Sequence, residues 1–152
     1  MHQLFKDFQE RFAKAHQDLL NVLDALPEHA IDWVPGEGMN STAVLIAHVA
    51  GASRYWVGDM ALGDDSQRIR QDEFDSVGHS KALLKTKLDD SMAYIQQGLT
   101  KISLTDLDRM VERPHTDQVF SVGWCLLHAL EHTTEHVGHL QILQQLWDAR
   151  SS

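Results

Sequence analysis

Cysteine is nearly missing from this chain of 152 residues: Cys125 is the only one, so an intrachain disulfide is impossible and a reducing compartment is expected. Prolines number only three, and 43 % hydrophobic residues against 23 % charged exclude the disordered, low-hydrophobicity class. Cations are scarce. Lys plus Arg number 13 against 22 Asp plus Glu, and the formal charge of -9 argues against a nucleic acid as partner, because phosphate backbones are engaged through clustered cations. Long apolar runs are lacking too. No stretch approaches the roughly 18 apolar residues of a membrane span, and Met1 to Glu10 alternates charged with apolar residues rather than forming a signal peptide. The expectation is a cytoplasmic protein that engages neither membrane nor nucleic acid. Its length suits a single domain spanning 1–152, since domains commonly run about 100 to 150 residues.

What is present is helical periodicity. From Leu4 to Leu26 apolar residues recur at steps of three and four, and Pro27 ends the pattern. Pro27 to Ser41 has a loop composition and closes with side chains suited to capping. A second helix is predicted from about Thr42 to about Leu62, and a third is marked by Leu84, Leu88, Met92, Ile95, Leu99 and Ile102. Between them Gly63 to Ser80 is polar and without period, which predicts a long connection. Ser103 and Asp106 suggest a capped turn, and Arg113-Pro114-His115 is expected to keep the chain extended. Ser121 to about Arg150 is the longest helical stretch. With no strand pattern long enough for a sheet, the fold class is all-α, a four-helix bundle.

The ten histidines are the most informative feature. His128, His132, His136 and His139 fall within an arc of about 80° on the last helix, at about 100° per residue. Two rings four residues apart can chelate one ion, but a stable site needs a third ligand from another element. His48 qualifies, because Val44, Ala52 and Tyr55 flank it at helical spacing and turn it inward. The alternative is a core histidine at 48 and a solvated stripe on the last helix. A bare His-x-x-x-His is a weak signal, and neither Cys-x-x-Cys nor His-Glu-x-x-His strengthens it. Di-iron chemistry is unsupported, because the one Glu-x-x-His, Glu112 to His115, spans Pro114. No Ser-His-Asp triad or phosphate loop offers another route. His2, His16, His29, His79 and His115 are read as surface residues, and Cys125 as a small buried hydrophobe near the site.

Two segments carry a resemblance to a known family. Ala47-His48-Val49-Ala50-Gly51-Ala52-Ser53-Arg54-Tyr55-Trp56, and Gly123 to His139 with its Glu131-His132-Thr133-Thr134-Glu135-His136 centre, resemble the signature segments of the DinB-like superfamily. The likeness extends to Asp32-Trp33-Val34-Pro35. It implies a bundle whose second and third helices run the same way, and a divalent metal ion on His48, His132 and His136. Zinc or nickel is the leading candidate, with manganese or iron as alternatives. His136-Val137-Gly138-His139 also resembles the branch of mycothiol-dependent maleylpyruvate isomerases, although that branch often carries Glu at the place of His132. Residues expected to orient the ligands are Tyr55, His128, Glu135 and His139.

Three imidazoles leave a coordination position open, the condition for a catalytic ion. The resemblance therefore implies a metal-dependent thiol S-transferase or hydrolase, in which a low-molecular-weight thiol or water is activated for transfer to a small electrophilic substrate. The competing class is a non-catalytic metal-binding or interaction bundle. A homodimer is expected by the same resemblance, with Trp56, Met60 or Trp147 supplying apolar contact at helix ends if they are exposed.

Overall fold

A computed structural model describes residues 1–150, and the chain is mostly helical. The first helix, α1, spans Gln3–Ala25, with His2 capping it by accepting from the Leu4 amide through Nδ1 at 3.2 Å. Phe5, Phe8, Phe12, Ala15, Leu19, Val22 and Leu23 form its buried stripe. Leu26 leaves the helix in extended conformation, and Pro27, which lacks an amide hydrogen, prevents a further turn.

The second helix, α2, spans Thr42–Arg54 and starts on Ser41, whose hydroxyl accepts from the Val44 amide at 3.3 Å. Every residue from Ser41 to Ala50 is buried, so α2 is covered on all sides. At Tyr55 it widens into a π-helical segment, Tyr55–Leu62, which Gly63 ends at φ 77. Five-residue spacing brings side chains together in such a turn, and Arg54 Nη1 accordingly reaches Asp59 Oδ1 at 3.2 Å. The widening changes the phase of the helix. Trp56, Val57, Met60 and Ala61 are turned into the core.

The polar connection holds a short helix, α3 (Arg70–Phe74), which packs on α2. Helix α4 spans Lys81–Leu99, capped by Ser80. Ser103 and Asp106 form a reciprocal cap on the turn Leu104–Asp106. Two three-residue strands follow, β1 (Met110–Glu112) and β2 (Val119–Ser121), antiparallel with Val111 opposite Phe120. This hairpin corrects the expectation of an extended segment: Arg113 and Thr116 lie in its turn, and His115 takes φ 62. Strands this short show no alternation to read. The last described element is α5, Val122–Arg150.

Helix α1 packs on α4 and α5, and α2 packs on the same two. Ala50 receives the Ser91 hydroxyl, Arg54 lies over the Tyr94 ring, and Gly98 adjoins Val57 and Leu62. The contacts advance along both helices together, so α2 and α4 run in the same direction. Against α5 the order reverses: Ser53 Oγ meets Thr133 Oγ1 at 2.9 Å, and Trp56 meets Trp124. Two apolar clusters fill the interior, one around Leu19, Ile46, Leu84 and Leu140, the other around Phe5, Val57, Leu99 and Leu126. Burying one such leucine contributes about 1.5 to 3 kcal/mol. Among the described residues no helix is long and apolar enough to cross a membrane.

Trp56, Met60 and Trp147 are 6 %, 2 % and 7 % exposed, so the exposure on which their dimer contact depended is absent. Trp147 is covered by Trp33 and Arg150. Two histidines read as surface residues are also partly buried: His16, whose Nε2 pairs with Asp89 at 3.1 Å, and His79.

Candidate metal centre

His48 lies in the middle of α2 and is 7 % exposed, while His132 and His136 stand one turn apart on α5 and are half-buried. Antiparallel packing of α2 on α5 brings the three rings together. His48 Nε2 is 3.1 Å from His132 Nε2, and His132 Nε2 is 3.2 Å from His136 Nε2. One nitrogen from each ring falls within 4.8 Å of the other two. Nitrogens bound at about 2.0 to 2.1 Å around one tetrahedral zinc would lie about 3.3 Å apart, so the two short separations match a shared ion.

Hydrogen bonding alone does not satisfy these atoms. His48 Nδ1 is 2.9 Å from Glu73 Oε2, and since a carboxylate only accepts, a neutral His48 ring holds its proton on Nδ1 and carries a lone pair on Nε2. His132 Nε2 then faces two nitrogens with at most one proton to give. Whichever way that proton points, at least one short contact is left without a proper donor and acceptor. A cation at the centre removes the conflict, because all three lone pairs can point at it. The donor set therefore fits a divalent ion.

Burial, followed by the neighbouring rings of His136 and His48, pulls His132 down to about 3. Burial and the rings of His48 and His139 pull His136 down to about 4. Both are thus neutral at physiological pH, the form that ligates.

Sequence reasoning missed the carboxylate behind His48. Glu73, on α3, is buried and gripped by Arg68, with Nε at 2.6 Å from Oε1 and Nη2 at 2.8 Å from Oε2. Burial pushes its pKa up, and the hydrogen bonds from Arg68 and His48 overcome that and hold it below the ordinary value. Of the residues expected to orient the ligands, His139 is nearest, with Nδ1 at 3.3 Å from His136 Nδ1. His128 ends a stack of Phe120, Trp124 and His128, with its ring 5.8 Å from that of His132. The Tyr55 ring lies 5.3 Å from the Arg68 guanidinium, the group that holds Glu73. Glu135 is exposed and meets none of the three rings. Cys125 is fully buried in the second apolar cluster, where burial pushes its thiol up to about 11.

Beside His136 and His139, a cavity of about 270 Å³ is lined by Met39, Asn40, Leu45, Ile142 and Leu143. It is the mainly apolar recess next to the rings.

A family model of the DinB superfamily matches residues 11–140. Among solved structures, a conserved protein from Enterococcus faecalis superposes with a TM-score of 0.78 at 16 % identity, covering 96 % of this chain and 98 % of that one. A DinB-like protein from Bacillus subtilis gives 0.72 at 15 % identity over 91 % and 90 % of the two chains. An uncharacterized protein from Clostridium difficile 630 gives 0.70 at 17 % identity, with 98 % of each chain covered. At these identities the likeness is one of fold. No curated protein matches the sequence significantly.

Proposed function

The chain belongs to the DinB superfamily, and from that premise we propose that it is a metal-dependent enzyme that activates a low-molecular-weight thiol or water for transfer to a small electrophile. The observation that carries this reading is the convergence of three ring nitrogens from His48, His132 and His136. In it these residues hold one divalent ion, with zinc or nickel favoured over manganese or iron on availability and imidazole affinity. Such an ion supplies Lewis acidity, which makes water or a thiol a nucleophile near neutral pH.

The rest of the chemistry falls to the chain. His136 and His139 border the apolar recess, whose volume of about 270 Å³ suits a small organic group. The recess supports a small-molecule substrate; the thiol rests on the family resemblance alone. We read the four long helices as a four-helix bundle joined by the connection 63–80, and the whole of 1–152 as one cytoplasmic domain. Homodimerisation belongs to the same proposal. Its apolar surface would come from α5, where Leu127, Ile142 and Leu146 are 61 %, 52 % and 41 % exposed. Sedimentation at micromolar concentration tests it, and a monomer there would remove it.

The decisive assay loads the protein with zinc, nickel or manganese and measures consumption of a panel of electrophiles with and without added thiols. Metal-dependent turnover that requires a thiol, or proceeds with water alone, is the expected result. Protein that retains a stoichiometric ion yet turns over nothing would favour a non-catalytic metal-binding bundle.

A further inference from the structure

We infer that Glu73 is the positioning residue that fixes His48 as a metal ligand, and that Gly51 is the gap in α2 that admits it. The inference rests on the proposed reading of His48 as a ligand, and deepens it.

Glu73 sits in a five-residue helix within a polar connection, yet its side chain is buried. Arg68 grips it at both oxygens, which fixes the plane of the carboxylate. Oε2 has one further direction free, and His48 Nδ1 lies there at 2.9 Å. The carboxylate thus selects one of the two neutral tautomers, protonated at Nδ1, and leaves the Nε2 lone pair facing His132 Nε2 at 3.1 Å. A carboxylate behind a ligating imidazole also raises its basicity. The other two rings lack this support: His136 Nδ1 meets only His139, and His132 Nδ1 is buried without a partner.

Gly51 lies three residues beyond His48, on nearly the same face of α2. A Cβ at this position would overlap Glu73 Oε1 and stand 2.8 Å from Cδ. A flexible glutamate could ordinarily swing aside at little cost. Here the swing would break both the Arg68 clamp and the bond to His48. Gly51→Ala is therefore expected to fold and to act on the metal site only through Glu73.

The test measures zinc affinity by competition with a chromophoric chelator, using the full chain as wild type, Glu73→Ala, Glu73→Gln, Gly51→Ala and the Gly51→Ala/Glu73→Ala double variant. Circular dichroism checks that each is folded. Glu73→Ala and Gly51→Ala should each weaken zinc about 10- to 100-fold while one ion per chain still binds at saturation. Glu73→Gln should fall between wild type and Glu73→Ala, because its amide oxygen still accepts from Nδ1 without the charge. The double variant should be no weaker than Glu73→Ala alone. In the metal-free protein, ¹⁵N spectra of the His48 ring should show the proton on Nδ1 in wild type and a shift toward Nε2 in Glu73→Ala. Should Glu73→Ala fail to fold, Glu73→Gln set against Gly51→Ala carries the same comparison. Unchanged affinity in the folded Glu73 variants, or additive losses in the double variant, would overturn the inference and leave the three-histidine site standing. A wild type that binds no zinc would overturn both.

Discussion

Along α5, His132 and His136 stand one turn apart on a helix of 29 residues that Leu126, Ala129 and Leu140 anchor in the core. Glu73 reaches the same site from a five-residue helix in a connection whose other side chains are mostly exposed. The helix presents nitrogens whose places are set by packing; the connection presents a carboxylate whose place is set by an ion pair. Sites built on packed helices hold their geometry better than sites on loops. On this account, losing a ring from α5 or α2 abolishes the centre, whereas losing support from elsewhere only tunes it.

The largest expected effect concerns removal of the ion. An ion bound only by the folded chain at 100 times its dissociation constant stabilises by about 2.7 kcal/mol, so a chelator should lower the thermal midpoint of wild type by several degrees. In His132→Ala the same chelator should change nothing. Differential scanning calorimetry of both proteins, with and without chelator, checks this.

The second prediction is a pH dependence of the metal-free protein. His132 and His136 have folded values of about 3 and about 4 against an ordinary value of about 6.5. The unfolded chain therefore binds more protons than the folded one over the interval between them. Stability from keeping these rings neutral is fully present above about 6.5 and is lost as pH falls toward the folded values. Urea unfolding at pH 7 and pH 5 should show the loss, and replacing either ring by Phe should diminish it.

Much of the fold was readable because its signals are periodic. The stripe from Phe5 to Leu23 and the series Leu84, Leu88, Met92, Ile95 and Leu99 repeat at helical spacing, and both face the core. His48, His132 and His136 could be singled out for the same reason: an inward position on one helix, and a four-residue step on another. Glu73 could not. It is one acid among Asp72, Asp75 and others, and its bond to His48 spans 25 residues of sequence. The π segment leaves no compositional mark either, and in it Trp56 and Met60 turn into the core. Arg68, five residues before Glu73, was the available hint that a carboxylate in this stretch is held rather than solvated.

Two smaller effects sharpen the contrast between structural and supporting residues. His139→Ala should keep one ion per chain but weaken it about 10-fold, since Nδ1 of His139 faces Nδ1 of His136 at 3.3 Å. Equilibrium dialysis against zinc measures this. Glu135→Ala should alter neither zinc affinity nor stability beyond about 0.5 kcal/mol, because its side chain is exposed and meets none of the rings. A large effect there would mean that α5 supports the site from its outer face as well.

The most direct test of the central claim is the metal content of wild type, His48→Ala, His132→Ala and His136→Ala, measured by plasma mass spectrometry after reconstitution and dialysis. The account predicts one ion per chain in wild type and almost none in each variant, because two remaining imidazoles do not hold an ion against dialysis. Undiminished stoichiometry in His48→Ala, or a wild type that retains neither zinc, nickel nor manganese, would contradict it.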